Sequence, residues 1–293
     1  MMSIDLAAFE KNFVYRHTGT IAEISADLLS LRQFDARHER LQKRWGIGIA
    51  ACVLLAMLTS FLSRPLGATA GYVWLGICLV GFVVAIVQTV RHGRANLANR
   101  RYELAAEVLR LLEKDSPKDA TVELQLDLQN PNHASKKKRE GKVGPWQVKY
   151  FVDPWLKLQG RFLDGTTYRL IGTEKYQARN KHYRSRSGKS KSKSKSKSAT
   201  QITLSLKPSA KRYSGLEQIS KDAAKAVQLP SWSHSKSVGV ANGRLHLTAA
   251  TTADWKGQLP QPDSPDAASG PHLVAMMFLS LYQTLNQART SRK

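Results

Sequence analysis

Two uncharged apolar runs stand out along the chain, at residues 46–62 (GIGIAACVLLAMLTSFL) and 70–90 (AGYVWLGICLVGFVVAIVQTV). At ~1.5 Å rise per residue they reach roughly 25 and 31 Å, close to the ~30 Å hydrocarbon thickness of a bilayer. Between them, residues 63–69 hold Pro65 and Gly67, which suit a turn and not a continued helix. The pattern predicts two antiparallel membrane-spanning helices joined by a tight hairpin. The competing reading is a buried helical pair in a soluble protein. Such helices normally carry a polar stripe, and neither run has one. A cleaved signal peptide does not begin after 45 polar residues, so that reading is set aside too.

Basic residues flank the pair unevenly. Arg37, Arg40, Lys43 and Arg44 precede the first run, Arg91, Arg94, Arg100 and Arg101 follow the second, and the link has only Arg64. The positive-inside rule then places both termini in the cytoplasm, with a bacterial inner membrane as the expected location. Trp45, Tyr72 and Trp74 fall at the expected water–lipid boundaries.

Outside the runs the period changes twice. Before them, Ile21, Ile24, Leu28, Leu29, Leu31 and Phe34 recur at helical steps behind a capping box of Thr20 and Glu23. This helix is expected to run into the first span. Its stripe reads either as a packing surface or as a self-association surface. After the second run, residues 94–114 form a connector helix with an apolar face of Leu97, Tyr102, Leu104, Ala105, Val108, Leu109 and Leu112. It is expected to continue the second span and to stop before Ser116-Pro117.

From residue 121 the period falls to two. Val122, Leu124, Leu126 and Leu128 alternate with polar residues. Residues 130–144 read as a basic loop. Strands follow at 146–152 and 155–163, then a two-residue turn at Asp164-Gly165, a strand at 166–175 running toward Tyr183, and another at 200–206. Asn242-Gly243 marks a second hairpin between 236–241 and 244–250. That makes about seven strands, mostly antiparallel. A capping box at Ser214 and Glu217 predicts a helix to about Val227. The last 20 or so residues, from His272, carry Leu273, Met276, Met277, Leu279, Leu281 and Leu285 at helical spacing. They suit a helix covering a sheet, with a partner-binding or membrane-surface helix as the functional alternative.

The expected fold class is therefore a membrane-anchored α+β protein. It comprises a helical segment at 1–45, a transmembrane hairpin at 46–90, a connector helix at 91–115, a β-rich cytoplasmic domain at 116–258, and a linker and C-terminal amphipathic helix at 259–293.

Charge sharpens this picture. Lys and Arg number 45 against 22 Asp and Glu, a net charge of +23. Such a balance points to anionic partners. The cations concentrate in Lys136, Lys137, Lys138 and Arg139, and in residues 181–198 (KHYRSRSGKSKSKSKSKS), where Lys181, Arg184, Arg186, Lys189, Lys191, Lys193, Lys195 and Lys197 meet no acid. Like-charge repulsion and low hydrophobicity predict a disordered arm at the tip of a long hairpin. Its expected partners are anionic lipid headgroups, nucleic acid backbone or an acidic protein. A solvated, tolerated repeat is the bland alternative. Tyr183 is the only aromatic in the run, a weak basis for base stacking.

No catalytic motif accompanies these features. Gly188-Lys189-Ser190 resembles the end of a phosphate-binding loop, but Tyr183 stands where the upstream glycine is needed. The eight histidines are scattered, and both cysteines, Cys52 and Cys78, lie inside the apolar runs. No cofactor or metal is expected. Asp127, Asp153, Asp164 and Glu174 read as solvated faces or turns. The function the sequence favours is a membrane protein with a non-enzymatic cytoplasmic domain that binds anionic lipid or another polyanion. The alternatives are a self-assembling effector or pore subunit, in which homo-oligomers form and the domain senses a ligand, and an enzyme with an unrecognised site.

Overall fold

A computed structural model describes residues 4–66, 68–209, 213, 227–261, 263–264 and 267–290. The helix expected at 214–227 lies almost wholly outside the described residues. The chain is a mixture of helices and antiparallel sheet, and it divides into two compact units, one of Met1–Leu28 with Ala98–Lys293 and one of Leu29–Leu97.

The second unit holds most of α2 (Ile21–Leu66) and all of α3 (Ala68–Arg94). Both helices are long and apolar enough to cross a membrane. The capping box is reciprocal, with Thr20 Oγ1 accepting from the Glu23 N–H at 3.3 Å and Glu23 Oε2 accepting from the Thr20 N–H at 2.9 Å. The expected link at 63–69 is corrected. Helix α2 continues through Pro65 to Leu66, and α3 begins at Ala68. Pro65 removes one N–H from the ladder, and the helix ends one residue beyond it. Small residues let the two helices approach. A Cβ at Gly81 would meet Cys52 Sγ at 3.3 Å, and one at Gly48 would meet Ala85. His38 and His92 meet through their Nδ1 atoms at 3.1 Å.

The connector helix does not continue α3. The break after Arg94 lasts until α4 (Asn99–Leu112), because the Asp35 carboxylate accepts the Leu97 N–H at 2.8 Å and draws it out of the helical ladder.

In the first unit, the short helix α1 (Leu6–Asn12) and strand β1 (Val14–Gly19) had no clear sequence signal. Strands β2 (Val122–Asp127), β4 (Trp146–Arg161), β5 (Thr167–Arg184), β6 (Ser190–Lys207), β7 (His234–Ala241) and β8 (Arg244–Thr251) complete the sheet with β3 (Lys137–Val143). The order is β1-β2-β4-β5-β6-β8-β7, every neighbour antiparallel, with β3 pairing the far half of β4. Asn242 and Gly243 both take positive φ, as the β7–β8 turn requires.

A row of leucines crosses five strands. Leu124 pairs with Leu158, Leu158 with Leu170, Leu170 with Leu204, and Leu204 with Leu247. All five are fully buried. This face packs under α4 and α5 (Gly270–Thr290), whose Leu104, Val108, Leu109, Met277 and Leu281 are buried as well. Ile21, Ile24 and Leu28 of α2 are also buried, and Asp27 accepts the Tyr15 hydroxyl at 3.0 Å. The opposite face mixes polar and charged side chains with a few apolar ones, among them Val148 and Ile171.

Three sequence expectations change here. The basic loop expected at 130–144 contains strand β3. The two strands expected at 146–152 and 155–163 are one strand with a bulge, where the register shifts between Pro154 and Leu156 and leaves Trp155 as the extra residue. The arm expected to be disordered at 181–198 is an ordered ribbon of β5 and β6. Its Lys-Ser alternation has the period of a strand, so lysines take one face and serines the other while the backbone ladder is satisfied across the pair.

Two consequences can be measured. Gly172 leaves room for the bulge. A Cβ there would lie 2.9 Å from the Trp155 ring and 3.1 Å from Leu156 Cβ. Gly172→Ala is expected to lower the stability of the full chain by about 1–3 kcal/mol in chemical denaturation. Tyr168 is almost fully buried, its hydroxyl has no hydrogen-bond partner, and burial raises its pKa above the ordinary tyrosine range. A raised pKa means the folded state holds the proton longer, so stability is complete below the unfolded value near 10 and falls as pH rises through it. Tyr168→Phe is expected to raise stability by about 1 kcal/mol at pH 7 and to flatten the decline between pH 9 and 11.

Candidate polyanion-binding face

In an antiparallel ladder, directly paired residues stand on the same face. The register of β3 to β6 therefore sorts the far half of the sheet into two faces. One face carries Arg139 from β3, Lys175, Arg179 and Lys181 from β5, and Lys191, Lys193, Lys195 and Lys197 from β6. No carboxylate shares it. In the near half of the sheet, Glu123 receives hydrogen bonds from Lys157 and Gln159. The Lys157 ammonium, chiefly through that bond, holds the Glu123 carboxyl below the usual range.

Strand β4 adds aromatic residues to the basic face. Trp146, Val148 and Tyr150 alternate there, with Val148 fully buried and the two rings half-buried. The Arg139 guanidinium lies 4.2 Å from the centre of the Tyr150 ring. The Lys181 ammonium lies 6.0 Å from Trp146 and 5.4 Å from Tyr183, and that of Lys195 5.9 Å from Trp146. These cation–π contacts hold the charges over the rings without neutralising them.

Six of the twelve cations singled out in the sequence gather on this face: Arg139, Lys181, Lys191, Lys193, Lys195 and Lys197. Arg184 pairs with Ser190 on the serine face, and Arg186 and Lys189 lie in or beside the turn between β5 and β6. Lys137 pairs with Glu140 at 3.1 Å, and Lys138 sits exposed at a bulge. Lys136 leaves the set, because it is buried with its ammonium 2.9 Å from Asp127 and 2.8 Å from Asp153. Lys175 and Arg179 went unnamed in the sequence reading. The signal for them was the continued alternation of β5 past residue 175.

Lys136 belongs to a second constellation, a buried ion network on the core face. Arg101 Nη2 binds Asp153 at 2.7 Å and Glu174 at 2.8 Å, and its Nη1 donates to the Asp127 carbonyl at 2.9 Å. Arg100 reaches Glu174 at 3.1 Å. Stacked indoles of Trp155 and Trp255 lie beside the network, with Arg101 over the first and Arg100 over the second. Asp153 and Glu174 are thus buried acids, not the solvated ones expected. Their charge is matched by Arg101, Lys136 and Arg100, an arrangement that fixes α4 on the sheet. Asp164 does serve a turn, accepting from the Thr166 N–H and hydroxyl.

Beside α5, an apolar cavity of about 490 Å³ is lined by Leu111, Leu163, Phe278, Leu279 and Tyr282, among others, with Asp115 and Asp164. Among the described residues no group of three or more His, Cys, Asp and Glu is placed to hold a metal ion. No family model, curated protein or solved structure matches this chain.

The ion network sets a stability test. Arg101→Met leaves two buried carboxylates short of a partner. The full chain is expected to lose about 3–5 kcal/mol, read from denaturation followed by tryptophan fluorescence.

Proposed function

We propose that this chain is an integral membrane protein whose β-rich unit is a non-enzymatic binding module for a phosphate-bearing polyanion. The observation that carries the reading is the far half of the sheet, where eight cations share one face with no carboxylate among them. Opposed like charges destabilise a ladder. A sequence that places Lys181 opposite Lys193 and Arg179 opposite Lys195 accepts that cost on a surface whose complement is anionic.

Membrane insertion is supported by the outer surface of the second unit. Leu54, Val73, Leu79 and Val87 are 61, 65, 64 and 58 % exposed, a surface suited to acyl chains and costly in water. Paired contacts at Gly48 with Ala85, Cys52 with Gly81 and His38 with His92 support an antiparallel hairpin. The basic flanks of both spans support a reading with both termini on the cytoplasmic side.

The test separates a face from overall charge. Detergent-solubilised full chain is loaded on immobilised heparin, a generic polyanion, and eluted with salt. Replacing Lys191, Lys193, Lys195 and Lys197 with serine is expected to lower the elution salt markedly. Replacing Lys114, Lys118, Lys236 and Lys256, which are exposed elsewhere, is expected to lower it much less. Equal effects from the two variants would show that net charge alone is at work and would remove the proposed site.

A further inference from the structure

Resting on that reading, we infer that the basic face of β3 to β6 binds single-stranded nucleic acid, with the lysine rows on the phosphates and Trp146, Tyr150 and Tyr183 offering ring faces to the bases. Charge alone admits any polyanion. The rings narrow the choice.

Lys191, Lys193, Lys195 and Lys197 stand on alternate residues of one strand. At ~3.3 Å per residue they make a straight row with a step of about 6.6 Å and a length of about 20 Å. Lys181, Arg179 and Lys175 form a second row one strand away. A linear chain of phosphates is the natural complement to such rows, and the backbone of a single strand supplies one. The rings lie beside them. Tyr183 is directly paired with Lys191, and Tyr150 with Gln177. Tyr183 is 41 % exposed. The ammonium groups of Lys181 and Lys195 rest near ring faces at 5.4–6.0 Å. Those ring faces are therefore turned to the basic side. A lysine that swings from a ring to a phosphate uncovers a surface of the right shape for a base. Positive tracks with interleaved aromatic rings are how single strands are held without sequence readout.

The competing partners use less of this surface. A duplex keeps its bases stacked and offers no face to the rings. An anionic membrane surface is met by the charges alone and leaves the ring faces of Trp146, Tyr150 and Tyr183 without a use.

The test uses the full chain in nanodiscs of neutral lipid. Binding is read by fluorescence anisotropy with a labelled 20-nucleotide DNA or RNA single strand of mixed sequence, with the same oligomer as a duplex, and with inorganic polyphosphate as competitor. Nanodiscs or vesicles containing phosphatidylserine form a separate competing arm. The single strand is expected to bind at least tenfold more tightly than the duplex. Log affinity should fall with log salt, and the slope should shrink by about 2–3 when Lys191, Lys193, Lys195 and Lys197 become serine. Tyr183→Ala is expected to weaken single-strand binding roughly tenfold or more, while Tyr183→Phe keeps it and both leave polyphosphate competition unchanged. Trp146→Leu should act like Tyr183→Ala, and the exposed Tyr183 pair keeps the result readable if the Trp146 variant unfolds. Equal binding of duplex and single strand overturns the inference, as does an inert Tyr183→Ala with polyphosphate still bound. Displacement of the oligomer by phosphatidylserine at matched charge also overturns it, in favour of lipid. Failure to bind any of these polyanions removes the broader reading as well.

Discussion

The extra residue in strand β4 sets both sides of the sheet. On one side of Trp155 the strand pairs Leu156 with Gly172, and on the other Pro154 with Thr173. Trp155 stands between, with its indole over Gly172 and stacked on Trp255. A bulge shifts the pairing by one residue, and a shift of one exchanges the two faces of everything beyond it. Without it, Trp146, Val148 and Tyr150 would stand on the serine face of the ribbon. With it, they stand among the lysines. The same insertion that fills the core thus brings the aromatic residues to the basic face.

The bulge is held by polar groups as well as by packing. Asp153 and Glu174 are directly paired across β4 and β5 beside it. Two adjacent buried carboxylates are tolerable only with cations in contact. Arg101 arrives from α4 and Lys136 from the short turn before β3, so both flanking segments are fixed by one cluster. A buried network of this kind adds little net stability over an apolar core, but it penalises any other register, because a one-residue slip strands its charges. The Lys-rich start of β3 therefore has two uses. Lys136 locks the strand in place, and Arg139, three residues on, faces the proposed partner.

Much of this architecture was legible in the sequence. The apolar runs, the Thr20–Glu23 box, the Leu124–Leu126 alternation and the Asn242-Gly243 turn each follow from a local period or a backbone requirement, and each appears where expected. Strand β1 was not legible, because VYRHTG has only Tyr15 and the backbone of Gly19 to bury, too short an alternation to stand out. The break before α4 depends on Asp35, 62 residues from the N–H it captures. The basic face was half legible. The Lys-Ser alternation is visible in the string, but low hydrophobicity argues for disorder until the partner strand is known. The rings on the face were hidden for a different reason. Counting back from Asp164-Gly165 gives the wrong face for Trp146 unless the bulge is counted, and the bulge becomes apparent only when Trp155 is seen to pack against Trp255.

The ordering of the ribbon bears on the polyanion proposed for it. The opposed cations Arg179 with Lys195 and Lys181 with Lys193 repel at the far end of the sheet, where β5 runs between the start of β4 and β6. What opposes the repulsion there is the backbone ladder and three cation–π contacts on Trp146 and Tyr183. Each such contact is worth about 0.5–1 kcal/mol at exposed sites, so the balance is narrow. A bound polyanion removes the repulsion and adds charge-assisted hydrogen bonds, and by mass action it stabilises the ribbon as it binds. The strands thus hold the cations in line beforehand, which lowers the ordering cost that a disordered polybasic arm would meet at the moment of binding. An ordered ribbon thus suits the proposed polyanion better than a disordered arm of the same charge would.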